Sequence, residues 1–440
     1  MSFFFPPETY GFPVAPGRIP VIGHLHRQYS DYPGFLKRSG EACGKRFWTQ
    51  GGGEWCLVSA DEESFAFLKN RGTTNEHYQK IAHRLLGDSL LVKDGKPHSS
   101  VRSAMNGPFL PKGLSASEVG PMMAETIGQH VQTWAGLGKF PVLARTRELT
   151  LHILFRMIGV DSTELDQWRH HYEEFMLGGL SIPFHFPGSP AYRAARAQQW
   201  LDARLTKIIE DVRQNPIPGK LLSELVHGKN EEGQTLGNQD LIENLRLLCL
   251  AGHETTASTM AWILFYLGQN PELWDRVVAE SLAAPGVPNS PKELRAFPLA
   301  EGVFREALRL HPPVAIVTRL TTAPYPIGDQ TLPAGIQLGT PIYTLCRDPE
   351  RYPDPDRFDP DRWLRRPEPP GAVETIAFGG GPHFCLGYHV AWMECVQLSV
   401  ALARGLAPLN KRPKLVGNFP RTIYLPLGHP EAKGMVEISP

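Results

Sequence analysis

Between Asn238 and Gly268 apolar residues dominate the run L-I-E-N-L-R-L-L-C-L-A-G-H-E-T-T-A-S-T-M-A-W-I-L-F-Y-L. Its pattern predicts a helix, with Asn238 as N-cap, Asp240 in the first turn and Gly268 at the stop. The run is about 29 residues, on the order of 43 Å at about 1.5 Å per residue. A helix so long and apolar has to cross the protein interior. The next helix is predicted from Asn270, with Pro271 at its first position. Another is predicted from Ser290, which has capping-box spacing to Glu293. A further one, E-G-V-F-R-E-A-L-R-L, has to end before Pro312 and Pro313. Residues 388–404 carry one more helical run. Strand-like stretches are short: W-C-L-V-S near residue 55, V-A-I-V-T-R near 317, and 339–343. Residues 227–238 and 365–371 read as exposed loops. The fold expected is mainly α with small β-sheets.

Composition narrows the function. The 440 residues are 42% hydrophobic, ample for a sizeable core. Lys+Arg and Asp+Glu both number 45, so the formal charge is zero. That balance argues against nucleic acid as the main partner, which needs an excess of cations. Cysteines 43, 56, 249, 346, 385 and 395 are scattered without a C-x-x-C pair, which points to a reducing compartment. The start M-S-F-F-F-P-P has no basic n-region, and no window of about 18 apolar residues is evident. A soluble, cytoplasmic protein without a membrane anchor is expected, with Phe3 to Phe5 tucked against the body.

One short stretch carries the chemistry. Residues 378–389 read F-G-G-G-P-H-F-C-L-G-Y-H, which sets Cys385 between a bend and a helix start. Unpaired backbone N–H groups and the helix dipole there favour a thiolate. Such a sulfur can be a nucleophile served by His383 or His389, a redox centre or a metal ligand. Three glycines do not serve a base. They let the backbone pass close under something large and flat, and Gly387 allows a close helix start. Phe378 and Phe384 are placed to keep water from the sulfur. Together these suit a cysteine that caps one face of a haem iron.

The phrase F-x-x-G-x-[HR]-x-C-x-G is filled at every position, and it resembles the haem-binding loop of the cytochrome P-450 superfamily. Residues 251–256, A-G-H-E-T-T, are similar to that family's oxygen-binding motif. Physically, Gly252 weakens the helix there, and the Thr255 hydroxyl is four residues from the Ala251 carbonyl it can bond. Glu254 and Thr255 are then placed to position the water that delivers protons for O–O cleavage. Glu306 and Arg309 form E-x-x-R, by itself the mark of an ordinary surface ion pair. The later P-D-R-W at 360–363 adds Arg362, and the resemblance implies a buried structural triad. It also implies that His98, Arg102, Arg319 and His383 meet the haem propionates. Buried carboxylates need such partners.

The resemblance covers nearly the whole chain. It implies one triangular domain, 1–440, with haem b between the long central helix and the Cys-loop helix, and iron ligated by Cys385. Ala251, Phe378 and Gly387 would line the cofactor. The activity implied is monooxygenation of a hydrophobic small molecule by O2, by hydroxylation or epoxidation. Electrons would come from a ferredoxin or flavodoxin with its reductase, since no flavin or nicotinamide fingerprint occurs in the chain. Family topology places pocket walls at 75–85, 177–186, 247–251, 314–317 and 422–424, including Leu247, Val314, Val317 and Ile423. The stretch I-P-F-H-F-P-G-S-P resembles a loop of branches that oxidise retinoids, sterols and terpenoids, and a polyketide-like secondary metabolite fits as well. Three other classes stay open: a haem peroxygenase or isomerase, a haem-containing lipophile-binding protein without turnover, and a cysteine hydrolase built on a Cys–His dyad.

Overall fold

The computed structural model describes residues 8–440 apart from 52, 62, 70, 71, 180–184, 366–370, 372–374, 425 and 426. Phe3 to Phe5 and most of the 365–371 loop lie outside the described residues. The axis of the molecule is the helix Asn238–Gln269, 32 residues long. Gly237, rather than Asn238, is its N-cap, and Asn238 is its first residue. It packs against Val142–Met157, Pro190–Gln214, Pro298–Leu310 and Tyr388–Leu406, and from Thr256 to Phe265 every residue is buried. An apolar sequence with little one-sided character folds as a helix with neighbours all round. Trp262 shows how closely: its ring stacks on His311 at 3.6 Å between centroids.

Asn270 caps the following helix, Pro271–Ala283, by accepting from the Leu273 amide at 3.0 Å. The Ser290–Glu293 pair forms, but not as a capping box: the Ser290 hydroxyl donates to Glu293 Oε1 at 2.9 Å, and Oε2 accepts from the Asn289 amide at 2.9 Å. It opens only a 3-10 turn, Glu293–Ala296, and the helix starts later, as Pro298–Leu310. Its cap comes from another helix: the Glu280 carboxylate accepts from the amides of Leu299 at 2.7 Å and Ala300 at 2.9 Å. A local signal chose the turn, and a tertiary contact chose the helix.

The main sheet lies beside the helical body. Glu54–Ser59 pairs antiparallel with Arg46–Gly51 and parallel with Gln337–Thr340. Val317–Thr321 then pairs antiparallel with Gln337–Thr340 and with Thr73–Thr74 at the edge. Of the strand read at 339–343, residues 339 and 340 end Gln337–Thr340, and Ile342–Leu345 is a helical turn. A second sheet joins Lys139–Pro141, Met435–Ser439 and Arg412–Val416. Trp48, Trp55, Phe67, Leu338 and Ile342 form a core of their own against the main sheet.

One apolar segment escaped the sequence reading. Tyr388–Leu409 has a window of mean hydropathy 1.2, and 72% of that window is buried within the protein, as a core helix requires. Inside it, burial lifts the Glu394 carboxyl to about 8. A carboxyl raised in the folded state stabilises fully below its unfolded value near 4.5, and that stability is lost as pH rises toward about 8. Glu394→Gln is therefore expected to flatten the pH dependence of the melting temperature between these limits. Its gain over the parent near pH 8 should be on the order of a few kcal/mol, measured by thermal unfolding across pH.

Candidate haem site

The Cys385 loop is a short hairpin. Phe378 O accepts from the Cys385 amide at 2.9 Å, and the Phe384 amide reaches Gly381 O at 3.1 Å. Gly379 and Gly381 have φ of 76° and 63°, which favours glycine. A Cβ on Gly381 would also run into the backbone of Leu68 and Lys69, 2.8 Å from Lys69 Cα. Gly381 therefore answers to a neighbouring helix of the protein, a requirement that stands beside the close passage expected of the loop. Gly387 has no such clash, since its nearest neighbour is Cys385 Sγ at 3.9 Å. Phe378 stacks edge-on to Tyr388 at 4.7 Å, with Phe384 5.5 Å from the same ring.

Burial pushes the Cys385 thiol up, while the Gly387 amide and the Arg102 charge pull it down. The net direction is up, so the helix start alone does not make a free thiolate. A metal cation would. No histidine hydrogen-bonds to the sulfur among the described residues; His383 is engaged with Asp94 and Asn75. The Cys–His dyad of a hydrolase is not assembled.

The long helix behaves as its sequence predicts. Thr255 Oγ1 donates to the Ala251 carbonyl at 2.5 Å, and Thr259 Oγ1 repeats the bond to Thr255 O at 3.0 Å. Ala251 is exposed and Leu247, Gly252 and Thr255 are half-buried, although they sit midway along a helix otherwise sunk in the core. Glu254 turns sideways to helix Val142–Met157. Its Oε2 accepts from Arg147 Nη2 at 2.7 Å and Nε at 3.0 Å. The carboxylate is thus ion-paired, an arrangement that A-G-H-E-T-T does not disclose.

The expected cation cluster forms and contains an unexpected anion. Arg102 Nη1 donates to the Phe384 carbonyl at 2.8 Å. His98 and His383 lie with ring centroids 4.1 Å apart. Asp94 Oδ1 is 2.9 Å from His383 Nε2 and 3.6 Å from Arg319 Nη1. Its Oδ2 accepts from Thr74 Oγ1 at 2.7 Å and the Asn75 amide at 2.6 Å. Asp94 is the N-cap residue of Gly95–Asn106, yet its side chain makes no cap bond because these partners take it. Burial raises its carboxyl, but the bonds from His383, Asn75 and Thr74 win and hold it near 2. The D-G before H-x-x-x-R was legible only as a cap.

Two buried nitrogens in this cluster, His98 Nε2 and Arg319 Nε, have no hydrogen-bond partner among the described residues. Buried nitrogens of this kind call for a partner, and burial lowers the His98 imidazole to about 4, so its ring is neutral at pH 7. Orphaned nitrogens, two arginines and a sulfur at the mouth of an apolar helix fit a flat group that carries carboxylates and a metal.

The triad is complete. Glu306, fully buried, binds Arg309 through two contacts of 2.8 and 2.9 Å and Arg362 Nε at 2.9 Å. Trp363 Nε1 and the Asp359 amide, both at 3.0 Å, complete the carboxylate's shell. Arg309 also donates to the carbonyls of Cys346, Pro355 and Arg357.

The expected pocket residues are more dispersed. Leu247 lies one turn before Ala251, and Val314 and Val317 are half-buried beside the sheet core. Ile423 is 38% exposed on a two-stranded hairpin. Of 177–186, residues 180–184 lie outside the described residues, while Leu177 and Phe186 are exposed.

A largely helical fold with a cysteine loop, a cation cluster and a central helix whose Thr255 bonds the Ala251 carbonyl defines a haem-thiolate protein. The comparisons agree. The Cytochrome P450 family model matches residues 13–406. A "Cytochrome P450 BJ-4 homolog" of Sinorhizobium fredii is 35% identical over 423 residues, 96% of this chain and 95% of the relative. The Cyclooctat-9-en-7-ol 5-monooxygenase of Streptomyces melanosporofaciens is 28% identical, covering 90% of each chain. The structure titled "Retinoic acid bound cyanobacterial CYP120A1" shares the fold at TM-score 0.85 and 23% identity, over 98% of this chain and 99% of that one. The chain belongs to the cytochrome P450 family. It is a cysteine-ligated haem monooxygenase that uses O2, a redox partner and a hydrophobic substrate.

Proposed function

We propose that residues 1–440 act as one domain that inserts one atom of O2 into a polycyclic, terpenoid-like hydrophobic molecule, with electrons from a ferredoxin or flavodoxin and its reductase. The observation that carries the reading is the Cys385 hairpin, closed on the Phe378 carbonyl and tied to the cation cluster by the Arg102 bond to Phe384. Cys385 is the iron ligand. When bound, a thiolate-ligated haem supplies an electron-rich iron that activates O2. His98, Arg102, Arg319 and His383 hold the propionate end, with Asp94 orienting His383 and Arg319. Ala251, Phe378 and Gly387 line the cofactor.

Thr255 shares the Ala251 carbonyl with the helix ladder, a bond that loosens the turn beside which O2 would lie. Its hydroxyl and the Glu254 carboxylate bring protons to that point. Leu247, Val314, Val317 and Ile423 contribute the apolar wall. The substrate class is supported by the name of the Streptomyces relative, which acts on cyclooctat-9-en-7-ol. The triad of Glu306, Arg309 and Arg362 is structural.

The test is a lipophile library screened for a shift of the haem absorption band, followed by turnover of the binders with a surrogate redox pair. Oxygenated terpenoid products are expected. Products formed with peroxide but never with O2 and reductant would overturn the reading in favour of a peroxygenase. Thr255→Ala is expected to keep haem while raising peroxide release per NADPH by about tenfold or more, because a proton-delivery group is lost. Peroxide assay alongside NADPH oxidation reads this directly, and unchanged coupling would remove Thr255 from the mechanism.

A further inference from the structure

We propose that His253 is a positioning residue for Glu254: an imidazole, set as the Nε2–H tautomer by the Glu254 carboxylate and accommodated at Nδ1 by Thr150, that holds one carboxylate oxygen while Arg147 holds the other. This rests on the role given to Glu254 above.

His253 occupies the middle of A-G-H-E-T-T. Two residues past Ala251, it is turned about 200° around the helix and so faces away from the Ala251 side. Its side chain is only 5% exposed. Nδ1 lies 2.9 Å from Thr150 Oγ1, on the neighbouring helix Val142–Met157, and Nε2 lies 3.4 Å from Glu254 Oε1. The Tyr172 ring packs edge-on at 5.8 Å. Burial, aided by Arg147 and opposed by Glu254, lowers the imidazole to about 4. One ring nitrogen therefore carries the single proton at neutral pH.

Electrostatics chooses which one. With the proton on Nδ1, the Nε2 lone pair would face a carboxylate oxygen in a buried place. With the proton on Nε2, that nitrogen faces Oε1 at 3.4 Å, and the Thr150 hydroxyl can donate to Nδ1 at 2.9 Å in preference to the carbonyls of Arg147 and His253, each at 3.3 Å. The two oxygens of Glu254 are then held unequally. Oε2 accepts two short bonds from Arg147, at 2.7 and 3.0 Å, and Oε1 has one long contact of 3.4 Å. Arg147 keeps the carboxylate in place through Oε2, and the weaker contact with His253 sets how Oε1 is presented.

The experiment uses the holoenzyme with a surrogate ferredoxin and ferredoxin reductase, without organic substrate. It reads the ratio of O2 released as peroxide to O2 reduced to water. Glu254→Gln is the reference and is expected to raise the ratio. His253→Leu is expected to raise it about three- to tenfold, and His253→Gln, which keeps a donor, to restore most of the loss. In the reduced CO-bound parent, which is diamagnetic, long-range 15N–1H correlation of labelled histidine should show the His253 proton on Nε2. Thr150→Val should keep that preference, which the carboxylate sets, and Glu254→Gln should weaken it.

A raised ratio in Glu254→Gln with none in His253→Leu overturns the proposal and leaves Glu254 standing. An unmoved Glu254→Gln overturns both. A proton found on Nδ1 in the parent overturns the proposal even if His253→Leu does not retain haem.

Discussion

Cys385→Ser is expected to abolish the thiolate-type absorption band of the reduced, CO-bound protein and to lower oxygen insertion by about two orders of magnitude or more. A serine oxygen neither matches the softness of sulfur nor ionises as readily, so the push of electron density toward bound oxygen is lost. The other cysteines offer no substitute. Cys56, Cys249 and Cys346 are pushed up to about 12 by burial, and Cys395 is raised well above the ordinary thiol range. Cys43 is likewise raised by burial. Only Cys385 has a backbone amide and an arginine working against its burial. The spectrum of the reduced, CO-saturated variant decides the matter, and a band identical to that of the parent would place the ligand elsewhere.

Glu306→Ala is expected to cost about 3–5 kcal/mol, a large part of the roughly 5–15 kcal/mol of a typical domain. Its carboxylate is the buried counter-charge of Arg309 and Arg362 and the acceptor for Trp363 and the Asp359 amide. Removing it leaves two guanidinium groups buried without an anion. The damage should appear as poor haem incorporation and a melting temperature lower by several degrees, followed by haem absorbance on heating. Glu306→Gln should fall between the two, because it keeps acceptors but not the charge. A Glu306→Ala protein that melts with the parent would mean that the triad contributes little to stability. These outcomes separate a structural role from a catalytic one, since a folded fraction that retains haem should still turn over.

Much of this site was legible because its parts are local. The cysteine loop, A-G-H-E-T-T and E-x-x-R are short phrases whose spacing fixes geometry on one helix or in one turn. Thr255 bonding the Ala251 carbonyl is a four-residue relation, and it is found as expected. What the sequence hid are partners far along the chain. Arg147 is 107 residues from the Glu254 it binds, and nothing in its own neighbourhood marks it. Asp94 looks like a helix cap and is instead drawn to His383, 289 residues away. The helix forecast from Ser290 begins at Pro298 because Glu280 supplies the cap from outside the segment. The loop glycines were assigned to a ligand, and Gly381 is also required by the nearby Leu68–Lys69 backbone.

The main sheet has a consequence for how the chain is made. Strand Glu54–Ser59 finds its parallel neighbour only at Gln337–Thr340, with Leu57 opposite Leu338. At ribosomal speeds of roughly 5–20 residues per second, the early hairpin waits tens of seconds for that neighbour. During this wait its open edge and the Trp48 and Trp55 rings lack their final cover. Ample chaperone during synthesis should therefore raise the yield of soluble protein, because the vulnerable interval is set by synthesis and not by the stability of the finished fold.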